Sequence, residues 1–143
     1  MLGLFAVATA CSPFSSKTAS AARTANPARP PGTPDPAVTP PAGFPADVPI
    51  YPGARLTAAA SFASPGQVAW GMEWQTSDPV DKVQAFYKTK FSQGDWQITF
   101  NGSANQAFSA NFSRKSNPKS VGMLGADGSS GITKITLSLS VPT

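Results

Sequence analysis

The 143-residue chain is 13% charged, with a net charge of +4, 15 prolines, one cysteine, no histidine and a single glutamate, Glu73. The missing histidine excludes a Ser-His-Asp triad, an imidazole proton shuttle and a histidine-ligated metal. The lone cysteine excludes an internal disulfide and a multi-cysteine zinc site, so neither metal nor cofactor is expected, and the length suits one modest domain.

Residues 1–10, MLGLFAVATA, form a short apolar run that closes on Ala8-Thr9-Ala10, the small-x-small pattern of signal-peptide cleavage. Cys11 follows at once. A sole cysteine at the first mature position resembles a bacterial lipoprotein signal. The resemblance implies cleavage before Cys11 and acyl chains on its sulfur and amino group. Each acyl CH₂ buried in a membrane contributes about 0.8 kcal/mol. The run is half the ~20 residues that a membrane span needs. A start upstream of Met1 would supply the basic residues that usually precede such a run. Two other readings stand beside this one: an ordinary cleaved signal leaving a free Cys11, or a core cysteine beginning a buried element. The expected location is the bacterial cell envelope, membrane-anchored on the extracytoplasmic side, in the periplasm or at the cell surface.

Residues 12–43 are dominated by Ala, Pro, Ser and Thr, and only Phe14 and Val38 are apolar and larger than alanine. Such a stretch buries too little apolar surface to offset its ordering entropy, so residues 11–43 read as an acylated cysteine followed by a disordered tether. As a flexible coil it would span about 30 Å, and as extended polyproline II about 100 Å. It serves as a spacer, as a plain linker, or as a proline-rich ligand.

A single domain is expected over residues 44–143. Pro45, Pro49 and Pro52 forbid a helix or a central strand, so residues 44–54 read as an extended segment ending in a Pro52-Gly53 turn. Leu56, Ala58, Ala60 and Phe62 then alternate as the apolar face of a strand. After a turn at Ser64-Pro65-Gly66, Val68, Trp70, Met72 and Trp74 form the apolar face of a second strand. Together they predict an antiparallel hairpin. An amphipathic helix follows, with Asp78 as N-cap, Pro79 at the first helical position and Gly94 as a left-handed stop. Val80, Val83, Tyr87 and Phe91 share its apolar stripe. Trp96, Ile98 and Phe100 mark a third strand, Asn101-Gly102 a hairpin turn, and Phe108, Ala110 and Phe112 a fourth strand. A loop with a brief apolar interruption at residues 121–124 leads to a last strand over residues 133–141. The pattern is ββαβββ. It is an α+β domain with a mainly antiparallel sheet of about five strands and one helix packed on one face.

Pro49-Ile50-Tyr51-Pro52-Gly53-Ala54, then Phe86-Tyr87, then Gly94-Asp95-Trp96 resemble a class of small bacterial envelope lipoproteins. Those proteins share a P-x-Y-P-G-A … F-Y … G-x-W layout after a lipoprotein signal and a low-complexity linker. The resemblance spans residues 45–100 and implies no catalytic residue. One helix on a curved antiparallel sheet also occurs in accessory lipoproteins of outer-membrane assembly, a likeness of fold alone.

The remaining chemistry is sparse. Glu73 has no second carboxylate in view, so a two-carboxylate hydrolase is not expected. Trp70, Trp74 and Trp96 sit on apolar strand faces, where packing accounts for them better than sugar stacking. The opposite sheet face is small, polar and almost uncharged. Glu73, Gln75, Gln97, Thr99, Asn111 and Ser138 lie on it and are its candidate partner residues; plain solvation is the alternative. Arg114-Lys115 and Lys119 form a small basic spot, without the interleaved aromatics of a nucleic-acid surface. No nucleic-acid partner is expected. The sequence thus reads as a non-enzymatic, membrane-anchored lipoprotein presenting a small domain to an envelope protein or a cell-wall partner. The alternative is a glycan- or peptidoglycan-binding module using the polar sheet face.

Overall fold

The computed structural model describes Pro30 and residues 32–143. The signal segment, Cys11 and most of the tether lie outside the described residues. The elements are β1 (Arg55–Ser64), β2 (Gln67–Thr76), α1 (Val80–Gln93), β3 (Trp96–Ala104), β4 (Ala107–Arg114), β5 (Val121–Asp127) and β6 (Thr133–Pro142). They build an α+β domain whose six strands form one sheet in the order β1-β2-β6-β5-β4-β3. Every neighbouring pair is antiparallel.

The sixth strand corrects the expected count of about five. β5 occupies the stretch read as a loop with an apolar interruption. It pairs with β4 on one side and β6 on the other. Its alternation was hidden because both faces are apolar or small: Leu124 and Ala126 are buried, while Val121 and Met123 point outward. Two glycines lower its strand propensity further. Gly122 is required there, since a Cβ would overlap the Phe112 ring from β4.

The inner sheet face carries the core. Trp70, Met72 and Trp74 of β2 stand beside Leu137 and Ile135 of β6, Leu124 of β5 and Phe112 of β4. The helix lays Val80, Val83, Tyr87 and Phe91 on the β3–β5 side of this face. The β2 end is covered by the extended segment instead. Phe44 meets Trp70 edge-on at 6.1 Å and Trp74 at 6.4 Å, and further along the segment Tyr51 meets Phe86 of the helix edge-on at 5.1 Å. The three prolines of this segment thus suit a strap that needs no ladder hydrogen bonds.

Several local expectations shift. A bulge between Leu56 and Ala58 changes the parity of β1. Leu56 stays in the core, but Ala58, Ala60 and Phe62 turn to the outer face, leaving Phe62 70% exposed. Asn101-Gly102 is a bulge inside β3, where the register jumps between Phe100 and Gly102. The hairpin turn lies further on, at Asn105-Gln106, with φ of 28° and 67°. Pro79, not Asp78, occupies the N-cap, with no side-chain cap bond. Asp78 instead accepts from the Tyr51 hydroxyl at 2.7 Å and pairs with Lys82 at 3.1 Å. Gly94 ends the helix in an extended conformation, φ −111°, so no left-handed stop is used.

Residues before 44 also contact the sheet. The Asp35 amide donates to Gln75 Oε1 at 2.8 Å, on the outer face. The Val38 amide donates to the Leu56 carbonyl at 2.9 Å, at the β1 edge. Phe44 is on the inner face. Residues 35–44 therefore wrap the end of β1 from one side of the sheet to the other.

Candidate functional site

The strand registers place the outer-face residues in rows across the sheet. One row runs Phe62, Ala69, Ser140, Val121, Ser113 and Gln97. The next runs Ala60, Gly71, Ser138, Met123, Asn111 and Thr99. No charged side chain stands in either row. Four of the candidate partner residues, Gln97, Thr99, Asn111 and Ser138, thus share one uncharged patch.

That patch is hollowed. A groove of about 610 Å³ is lined by Gln97, Thr99, Asn111, Ser113, Met123 and Ser138, among others. A second hollow of about 480 Å³ adjoins it past Met123, over Gly71, Ser109, Gly125 and Thr136. Glycines and serines keep the floor low, while Met123 stands 60% exposed and Val121 46%. The groove therefore has apolar projections within a hydroxyl and amide surround. Gln97 Nε2 donates to Ser113 Oγ at 2.9 Å, and Asn111 Nδ2 to Asn101 Oδ1 at 3.3 Å. These bonds orient the two amides without consuming all their donors and acceptors.

Glu73 and Gln75 are placed differently. Gln75 is buried, at 3% exposure, and its Nε2 donates to Asp35 Oδ2 at 2.7 Å and Glu73 Oε1 at 3.0 Å. Thr57 Oγ1 donates to the same Glu73 oxygen at 3.1 Å. The expectation that Gln75 belongs to an open partner face is thus corrected: the wrapping segment covers it. Asp35 is also the second carboxylate that the sequence did not pair with Glu73. A shared amide holds the two, and neither lines the groove or its neighbour.

The basic spot is partly neutralised. Arg114 reaches Asp47 at 2.8 Å and Asp95 at 3.2 Å, and its guanidinium lies 4.4 Å from the Trp96 ring centroid. Trp96 Nε1 donates to Asp47 at 3.1 Å. The Asp47 bond, foremost, holds the guanidinium pKa above its ordinary value. Bonds from Ser116, then Arg114, hold the Asp95 carboxyl below the usual range. This cluster ties the strap to the β3–β4 end and leaves Lys115 and Lys119 as its outward cations. All three tryptophans are buried, as their strand phase implied.

Sequence reasoning missed Phe62, Val121 and Met123 as outer-face residues. The short apolar run Val121-Gly122-Met123-Leu124 was the available signal for β5, although it carries no polar alternation. Nothing short of the β1 bulge could have placed Phe62. Among the described residues no group of three or more Cys, Asp or Glu side chains is arranged to hold a metal. No helix among them is long and apolar enough to cross a membrane.

One helix on a six-stranded antiparallel sheet, whose far face carries a hollowed and uncharged patch, defines an α+β domain with a candidate binding surface. Residues 56–128, just over half the chain, match the START domain-like family model, and the chain belongs to that family. The match starts in β1 and ends just past β5, so it takes in the helix and most of the sheet. No curated protein and no solved structure matches.

Proposed function

We propose that the chain is a non-enzymatic, membrane-tethered envelope lipoprotein whose outer sheet face binds an uncharged partner surface. The observation that carries the reading is the groove around Met123. An exposed methionine and valine stand there on rigid strands, within a surround that offers hydrogen bonds but no charge. Exposed apolar side chains grouped in a hollow mark a binding surface better than scattered ones do. Cys11, at the end of a small-x-small motif, supports the acyl anchor. The proline-rich stretch after it supports a spacer. The partner in this reading is an envelope protein that fills the groove with apolar side chains.

Two experiments test it. Fatty-acid labelling in a bacterial host should mark the chain and fail on Cys11→Ser; equal label on both overturns the anchor. A photo-crosslinking residue at position 123 should capture an envelope protein, and Phe62, at the far margin, should capture less. Capture that is equal at an inner-face position after unfolding, or absent at 123, overturns the binding face.

A glycan partner is favoured by one specific observation. The amides of Gln97 and Asn111 and the hydroxyls of Thr99, Ser113 and Ser138 converge on the larger hollow. Sedimentation with purified cell wall separates the readings: retention abolished by Asn111→Ala supports the glycan, and no retention rejects it.

A further inference from the structure

β1 is one of the two edges of the sheet. Among the described residues, its backbone makes one hydrogen bond outside the β1–β2 ladder, Leu56 accepting from Val38. An antiparallel strand alternates its bonding direction, so about half the amides and carbonyls of residues 58–64 point away from β2. Sheet edges are normally blunted by charge, proline or a bulge. Residues 58–64 read AAASFAS and hold neither charge nor proline. The β1 bulge precedes them, between Leu56 and Ala58. The opposite edge differs, because the β3 bulge falls within the strand, between Phe100 and Gly102. The Val38 bond shows that an extended segment already adds to the β1 edge, and it stops after one donor.

We propose that residues 58–64 pair with the same strand of a second copy, antiparallel about a two-fold axis through Ser61. A neutral strand is suited to this. Two-fold pairing sets each residue near its own counterpart, which penalises any charge. The axis at Ser61 puts Phe62 opposite Ala60 of the second copy on the outer face. Ala59 then meets Ala63 on the inner face. Each phenyl ring, otherwise 70% exposed, lies across a methyl group and shields it from water. Small side chains on both faces leave no clash. The axis runs perpendicular to the sheet, so the two outer faces become one continuous surface. Each groove then lies on the same side of the joined sheet.

The test uses the full chain carrying Cys11→Ser, which removes acylation and the native thiol. Sedimentation equilibrium at high micromolar concentration should give twice the 14.7 kDa chain mass. Ser61→Lys should return it to monomer, with the thermal transition that the wild type shows when diluted to monomer, since an edge strand tolerates lysine. In the same background Ser61→Cys should oxidise to a covalent dimer, while Ser103→Cys, on the β3 edge, should not. A wild-type monomer at high concentration overturns the proposal and leaves the edge to a foreign strand. A dimer that survives Ser61→Lys, or no crosslink from Ser61→Cys, overturns it as well. None of these readouts depends on the anchor or on what the groove binds.

Discussion

Gly122 lies where the Phe112 ring crosses from β4 to β5. A methyl there would overlap that ring and the Ser138 backbone oxygen. Gly122→Ala should therefore force the ring off its rotamer and cost about 1–3 kcal/mol. Urea unfolding would show this as a lower midpoint with an unchanged slope. The Tyr51–Asp78 pair makes a prediction about pH. Asp78 is held below the usual carboxylate range by the Tyr51 hydroxyl first and Lys82 second. Its stabilisation is present above the ordinary aspartate value of about 3.9 and is lost as pH falls through the depressed value. Burial first, then Asp78, pushes the Tyr51 phenol up to about 12. Its stabilisation is present below about 10, the ordinary tyrosine value, and is lost as pH rises toward 12. Tyr51→Phe should flatten the alkaline limb of a stability–pH curve and weaken the acid limb. If both limbs keep their slopes, the pair does not couple as its geometry implies.

At the scale of elements, the β3–β4 hairpin shows how a strong local motif can be outvoted. Asn-Gly is a favoured two-residue turn, yet Asn101-Gly102 is held inside a strand. Turning there would leave Phe108 without the cross-strand partner Ser103 and shorten both strands. The chain turns instead at Asn105-Gln106, with both residues at positive φ. A left-handed conformation costs a side-chain-bearing residue about 1–2 kcal/mol. Gln106→Gly should relieve about 1 kcal/mol and raise the melting temperature by roughly 4–8 °C. A lower melting temperature would mean that the Gln106 side chain makes contacts worth more than the backbone relief. The helix was more legible. Its stripe of Val80, Val83, Tyr87 and Phe91 is the buried set observed, because 3.6-residue periodicity survives small errors at the ends. Only the capping residues moved.

For the whole molecule, the wrap of residues 35–44 matters most. It joins the outer face at Gln75, the edge at Leu56 and the core at Trp70 and Trp74. Asp35→Ala should leave the sheet folded but expose the Gln75 amide. Hydrogen exchange should then speed up across residues 35–40 and at the start of β1. Unchanged protection would show that Phe44 alone holds the wrap. The proposed binding face answers to a different change. Met123→Lys should not alter the thermal transition, since the side chain is outward, but it should remove partner capture. A large loss of stability would place Met123 in the structure's support and not on its working surface.

Period and punctuation in the sequence determined the α+β class, the helix, four of the strands' inward faces and the polar character of Gln97, Thr99, Asn111 and Ser138. Those features depend on side chains repeating at 2 or 3.6 residues, which a linear reading detects directly. Three things only tertiary structure decided. β5 forms because β4 and β6 supply ladders on both sides of a glycine-containing stretch with no polar face of its own. Phe62 faces outward because one extra residue at the β1 bulge reverses all that follow it. Asp35 meets Gln75 because the strap must cross the sheet edge to bring Phe44 onto the tryptophans. In each case the deciding contact joins residues whose pairing no local pattern encodes.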